Sequence, residues 1–273
     1  MIHSFSASYA GHVVDDNLGF DGMAANDRWY SNDKLATVFD WSLDIAQHLD
    51  KLGYDEFWMA EHHFQPEGYE CIPNLLMLSL YLSTQTKRLK FGCGFNIAPM
   101  WHPLRLAEDF ATADILTKGR VIFGVGRGYH TREVETFGSP MLDGDANREL
   151  FEEQVEVMLM AFKEESFSYH GKHYQIPAKV PYRGYELEKL SLVPRPIHQP
   201  VEVWQPLVSG NPRGINFMAK MGIKPIISNN SDPVLADRMK LYQDAVKAHG
   251  KDIELGEDAV SYTHLTLPTN REV

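Results

Sequence analysis

Short apolar runs alternate with amphipathic helical segments along most of the chain, and this rhythm constrains the fold more than any single motif. Ile2 to Ser8 alternates like a first strand, and a Gly/Asp/Asn-rich loop follows up to Ser31. From about Asp33 to Leu52 the residues Leu35, Val38, Phe39, Ile45, Leu49 and Leu52 recur at helical spacing. Asn32 or Asp33 can cap that helix, and Gly53 stops it. The spacing then predicts strand Asp55 to Ala60, a helix from near Pro73 to about Thr86, and strand Leu89 to Ile97. A helix from Pro103 to before Gly119, strand Arg120 to Val125 and a helix from about Asn147 to Phe162 follow. Ser166 to Gln199 breaks the rhythm with a Tyr/Pro/His-rich stretch, in which Tyr169 to Tyr174 resembles a small hairpin. A connection this long is more often a lid or binding loop than idle linker. Alternation resumes with strand Val201 to Gln205, helix Gly214 to Met221, strand Ile223 to Ser228 and helix Pro233 to Ala248. Repeated βα units of this kind predict a parallel sheet with right-handed crossovers, either closed into a barrel or doubly wound.

The polar residues favour the barrel. His62 follows the second strand, Asn96 ends the third, Gly126-Arg127-Gly128 follows the fourth and Ser209-Gly210 the fifth. In a (β/α)8 barrel the loops after the strands converge on one face, whereas an open sheet spreads them along an edge. His62 and His63 close the run Tyr54 to Phe64. Imidazoles at a strand's carboxyl end can move protons near neutral pH, although a pair of satisfied structural histidines is as good a local reading. In Phe123-Gly-Val-Gly-Arg-Gly-Tyr-His130 the glycines let backbone approach an anion, and Arg127 offers a charge-assisted fork. As a dinucleotide fingerprint the run is weak, because Tyr129 stands where the third glycine belongs and the run follows the fourth strand, not the first. Ser209-Gly-Asn-Pro212 is a second potential anion site, or a plain helix cap. The two loops together are candidates to clamp one phosphate.

Charge and cysteine content narrow the partners. The chain has 273 residues and a formal charge of −11, which argues against nucleic acid or an anionic membrane. Cys71 and Cys93 are too few for a disulfide framework or a cysteine zinc site, which points to free thiols in a reducing compartment. The N-terminus shows no basic segment followed by a long apolar run, and no stretch is long enough to span a membrane, so the expectation is a cytoplasmic protein. No metal is expected, because adjacent His62 and His63 on an extended strand point to opposite faces.

Glu61-His-His-Phe64, Trp101-His-Pro-Leu-Arg-Leu-Ala-Glu108, Thr117-Lys-Gly-Arg120, Phe123-Gly-Val-Gly-Arg-Gly128 and Thr136-Phe-Gly138, in this order, resemble the bacterial luciferase-like flavin monooxygenases over roughly residues 1 to 250. The resemblance implies a (β/α)8 TIM barrel, reduced FMN at its carboxyl-terminal face and oxygen activation at the flavin. It implies catalysis by His62, through a hydrogen bond or proton relay to the oxygenated flavin and substrate, and a structural role for His63. Gly94 and Phe95 fall where the family often has a non-proline cis peptide under the flavin ring. Asn96 would face the ring edge or satisfy buried backbone. Arg127 matches a phosphate-binding arginine, assisted by the backbone of Gly128 and Tyr129, and Ser209 and Gly210 match a second phosphate loop. His102-Pro103 also has a family counterpart, and capping or packing suits its place at a helix start.

The implied activity is that of a two-component monooxygenase: a separate NAD(P)H:flavin reductase supplies FMNH2, and this subunit oxygenates a small organic molecule. A homodimer or related heterodimer, formed through the helices after strands two and three, comes with the resemblance. A deazaflavin-dependent hydride-transfer enzyme and a non-catalytic flavin-binding subunit are the alternatives. The pattern stops after about six units, so the barrel is expected to be truncated before its last unit or units. Residues 1–260 would form the incomplete domain and 261–273, which do not continue the pattern, a non-native tail.

Overall fold

The computed structural model describes residues 4–14, 28–228 and 232–262, and the chain divides into two compact units, Met1–Glu202 and Val203–Val273. In the first unit, β1 (Ser6–Tyr9), β2 (Glu56–Met59), β3 (Lys90–Cys93) and β5 (Val121–Gly126) lie side by side in that order, all parallel. The register sets Tyr9 opposite Met59 and Met59 opposite Cys93, so the carboxyl ends of β1, β2 and β3 share one edge. The expected third strand is split. Residues 94–95 leave the ladder, and a two-residue β4 (Asn96–Ile97) resumes it against Val125 and Gly126 of β5. Gly124 makes this possible, because a Cβ there would overlap the Cys93 carbonyl.

Four long helices accompany this sheet, and local chemistry sets their ends. In α1 (Asn32–Leu52) the Ser31 hydroxyl, not Asn32 or Asp33, accepts from Lys34 N. Gly53, at φ 94°, closes the helix by donating to the Leu49 carbonyl. In α2 (Leu75–Gln85) the cap is Asn74, whose Oδ1 accepts from Met77 N at 2.9 Å. In α3 (Pro103–Thr117) His102 caps through Nδ1 and Pro103 occupies the first turn. A short α4 (Thr131–Val134) is absent from the sequence pattern. The following α5 (Gly144–Lys163) starts a turn before the expected Asn147 because Asp143 accepts from Asp145 N and Ala146 N. Phe110, Phe123 and Phe162, from α3, β5 and α5, form an aromatic core with ring centroids 4.5 to 5.4 Å apart.

The Ser166 to Gln199 stretch contains two hairpins, β6 (Tyr169–His170) with β7 (Gln175–Ile176), and β8 (Pro181–Tyr182) with β9 (Tyr185–Glu186). The first is clasped by buried Glu153 of α5, whose carboxylate accepts from the backbone of Lys172, His173 and Tyr174.

In the second unit β10 (Val203–Pro206), β11 (Lys224–Ser228) and β12 (Val260–Tyr262) are parallel neighbours, connected by α6 (Pro212–Met221) and α7 (Asp232–Ala248). Ser261 and Tyr262 thus belong to a paired strand, which runs past the expected boundary at residue 260. Residues 263–273 and most of the glycine-rich loop before Ser31 lie outside the described residues. The architecture is α/β with a parallel sheet, as the alternation predicts. No described helix is long and apolar enough to cross a membrane.

Asp50, near the end of α1, carries an acid-sensitive tie. Burial opposes its ionisation, but the backbone N–H groups of Arg88, Lys87 and Leu89 outweigh it and hold the carboxyl below its ordinary 3.8. A depressed carboxylate stabilises the fold above the unfolded-state pKa and loses that contribution as pH falls through the folded value. Asp50→Asn is therefore expected to lower the melting temperature at pH 7, with the gap to the parent closing below about pH 4. A gap that stays constant down to pH 2.5 would disprove the tie.

Candidate active site

β2 ends at Met59, and the chain leaves the sheet through Ala60, Glu61, His62 and His63. The two imidazoles diverge, as expected of neighbours on extended chain. His63 turns to Glu61 (3.1 Å) and the Phe137 ring (4.9 Å), beside a cavity of about 190 Å³ lined also by Pro73, Met100 and Trp101. His62, 5% exposed, turns instead into a polar cluster.

Carboxylates flank both nitrogens of His62. Its Nδ1 lies 3.1 Å from Glu133 Oε1 and 3.2 Å from Oε2, and its Nε2 lies 3.0 Å from Glu70 Oε2. The short α4 places Glu133, and Gln65 Nε2 donates to the same carboxylate at 2.8 Å. Burial alone would raise the Glu133 pKa, but the hydrogen bonds from His62 and Gln65 pull it below the usual carboxylate value. The Tyr129 hydroxyl approaches His62 Nε2 at 3.2 Å and donates to Glu70 Oε2 at 3.3 Å; burial and Glu70 push its pKa above the ordinary phenol value. His130 completes the group, with Nε2 at 3.8 Å from Glu70 Oε2 and its ring edge-on to His62 at 5.3 Å. A ring with a proton acceptor on each side is oriented and equipped to pass a proton. The thiols are poor nucleophiles: burial pushes Cys93 up to about 12, and burial with Glu70 pushes Cys71 up to about 11.

The other expected residues sit on neighbouring strands. The Gly94–Phe95 peptide is cis, and the Phe95 ring lies against Gly124 and Gly126. Asn96 is fully buried and donates through Nδ2 to the Gly124 carbonyl, while its Oδ1 has no hydrogen-bond partner among the described residues. Arg127, just past β5, donates through Nη1 to Asn147 Oδ1 at 2.9 Å, and Asn147 returns a bond to the Arg127 carbonyl. The early start of α5 brings Asn147 into its first turn, where it meets the arginine. Gly128 has φ 78°, and a Cβ there would press on Val134 and Ile97, so the loop tolerates only glycine. Tyr129 reaches His62 and Glu70 through its hydroxyl. Ser209 and Gly210 belong to the second unit, where Asn211 caps α6 by accepting from Gly214 N. A Cβ on Gly210 would lie 2.5 Å from Arg238 Nη1, and the Arg238 Nε is buried without a partner among the described residues.

Glu70, Glu133, His130, Asn147 and Arg238 were not foreseeable from spacing. The sole sequence signal was the acid-rich context of Glu67-Gly-Tyr-Glu70 and Arg132-Glu133 around an already suspected histidine.

The carboxylate-held histidine, the buried asparagine and the arginine thus follow successive strands of one parallel sheet. The sequence matches the luciferase-like monooxygenase description over residues 20–272, and the chain belongs to that family. Among its relatives is the flavin-dependent trigonelline monooxygenase, oxygenase component, of Acinetobacter baylyi. It is 26% identical over 186 residues, which cover 68% of this chain and 47% of that protein. The oxygenating constituent of 3,6-diketocamphane monooxygenase from Pseudomonas putida, solved with FMN, shares the fold. Its TM-score is 0.68 at 24% identity, over 86% of this chain and 63% of that one. An F420-dependent secondary alcohol dehydrogenase also shares it, with TM-score 0.63 at 19% identity, over 82% of this chain and 63% of that one. The chain spans about half the length of the curated relatives it matches.

Proposed function

We propose that this protein is the oxygenase of a two-component flavin monooxygenase, which takes reduced FMN from a separate NAD(P)H:flavin reductase and oxygenates a small organic substrate. The observation that carries the reading is Asn96 Oδ1, a fully buried acceptor with no partner among the described residues. Such an atom costs about 1 to 3 kcal/mol unless a ligand donor reaches it, and a flavin ring offers N–H donors of that kind. The residues present fit the cofactor: Asn96 and Phe95 for the ring, and Arg127 with the Gly128 and Tyr129 backbone for the phosphate. Ser209 and Gly210, with Arg238 beside them, suit an anion in their own unit.

Bound reduced FMN supplies the electrons for oxygen activation. The protein's part is to bind, orient and manage protons. Asn147 holds the Arg127 guanidinium in one orientation for a phosphate. Glu133 fixes the His62 ring through Nδ1, which leaves Nε2, Glu70 and the Tyr129 hydroxyl as the proton-handling face. Exposed Met77 and Tyr81 on α2, and Leu116 on α3, suit the proposed dimer contact.

The test is a titration with FMN, riboflavin and F420. Arg127→Ala is expected to weaken FMN by about 10- to 150-fold, the equivalent of a charge-assisted hydrogen bond of about 1.5 to 3 kcal/mol, and to leave riboflavin almost unaffected. Equal losses for both flavins would remove Arg127 from the phosphate. Tight F420 binding without FMN binding would move the protein to the hydride-transfer class.

A further inference from the structure

We infer that His62 Nε2, the Glu70 carboxylate and His130 Nε2 form a site for a divalent first-row transition ion, overlapping the proposed proton-handling face. These ligand atoms come from two loops, His62 and Glu70 from the connection between β2 and α2 and His130 from the loop after β5, and all lie within 4.8 Å of one another. Two histidines and one carboxylate are a ligand set that suits Zn2+ and its neighbours, which take N and O donors at about 2.0 to 2.2 Å. Donors at that range around a tetrahedral centre stand about 3.3 to 3.5 Å apart. The observed Glu70 separations, 3.0 Å to His62 and 3.8 Å to His130, bracket that value, and the two imidazole nitrogens, within 4.8 Å of each other, must close toward it. The expectation of no metal considered only the adjacent pair, and His63 does point away; the second imidazole comes from His130 in the loop after β5.

The outer contacts are those of a metal site. A metal-bound histidine typically donates its other ring nitrogen to a carboxylate, and His62 Nδ1 already faces Glu133, itself fixed by Gln65. The Tyr129 hydroxyl, 3.2 Å from His62 Nε2 and 3.3 Å from Glu70, lies beside two of the three ligand atoms. The ligands are graded in exposure: His62 is buried, the Glu70 side chain is 14% exposed and that of His130 38%, which gives an ion a way in. An ion on His62 Nε2 takes the nitrogen that the proton relay needs, so occupancy would switch the relay off.

The inference does not rest on the flavin reading and is tested without flavin. Chelator-treated protein is titrated with Zn2+ by calorimetry, and its melting temperature is followed at increasing Zn2+. One ion per chain is expected, with a melting temperature that rises with Zn2+ because the ion binds only the folded state. His130→Ala, at a half-exposed position, and Glu70→Gln are each expected to weaken binding by at least the 10- to 100-fold that even an outer-shell loss costs, and Glu133→Gln by about that amount. His48→Ala, on exposed α1, serves as control and should bind as the parent does. Absence of stoichiometric Zn2+ binding, or unchanged affinity in both His130→Ala and Glu70→Gln, would overturn the site.

Discussion

His62→Ala is expected to cut oxygenated product by about 10²- to 10⁴-fold, the usual worth of a positioned acid–base group, while FMN affinity stays close to the parent's. Hydrogen peroxide release should rise in its place, because oxygen is still consumed when protons are no longer delivered to the productive path. The two effects separate because they lie on different strands. His62 leaves β2, whereas the proposed phosphate-binding Arg127 leaves β5. Product yield, peroxide and flavin affinity should be measured on the same preparation. A variant with unchanged coupling would take His62 out of the chemistry and favour the non-catalytic flavin-binding reading. A variant that loses FMN instead would show the histidine to be part of the cofactor cradle.

The position of His62 was legible because it depends on strand order alone. An apolar run that ends in Glu-His-His places an imidazole at a strand's carboxyl end, whatever the loops do. The parallel sheet was legible for the same reason: period-2 runs alternating with helical ones leave few arrangements. Helix starts were less so. Asp143 caps α5 a full turn before the apolar pattern begins, and that shift is what carries Asn147 to Arg127. Beyond an acidic context, the partners of His62 left no sign in the sequence. Glu133 stands 71 positions from it, on a four-residue helix too short to show periodicity, and Glu70 and His130 arrive on irregular loops. Side chains that meet only through loop geometry leave no spacing rule in a sequence.

The neighbouring Glu61→Ala is expected to do the reverse of His62→Ala. Glu61 is 1% exposed, and its carboxylate accepts from Ile97 N at 2.9 Å, Trp101 Nε1 at 2.9 Å and His63 Nε2 at 3.1 Å. It therefore bolts the exit of β2 to β4 and to the turn before α3. Alanine leaves a buried backbone N–H and an indole N–H without acceptors, at about 1 to 3 kcal/mol each, and opens a void. The expected loss is about 3 to 5 kcal/mol, a large share of the roughly 5 to 15 kcal/mol that keeps a domain folded. Glu61→Gln should fall between, because one of its terminal atoms still accepts and the other cannot. Denaturant midpoints at constant slope are the measurement. Flavin affinity should fall together with stability, since Asn96 is adjacent to the released Ile97 amide. A loss below about 1 kcal/mol for Glu61→Ala would show that water replaces the carboxylate and that β4 needs no such anchor.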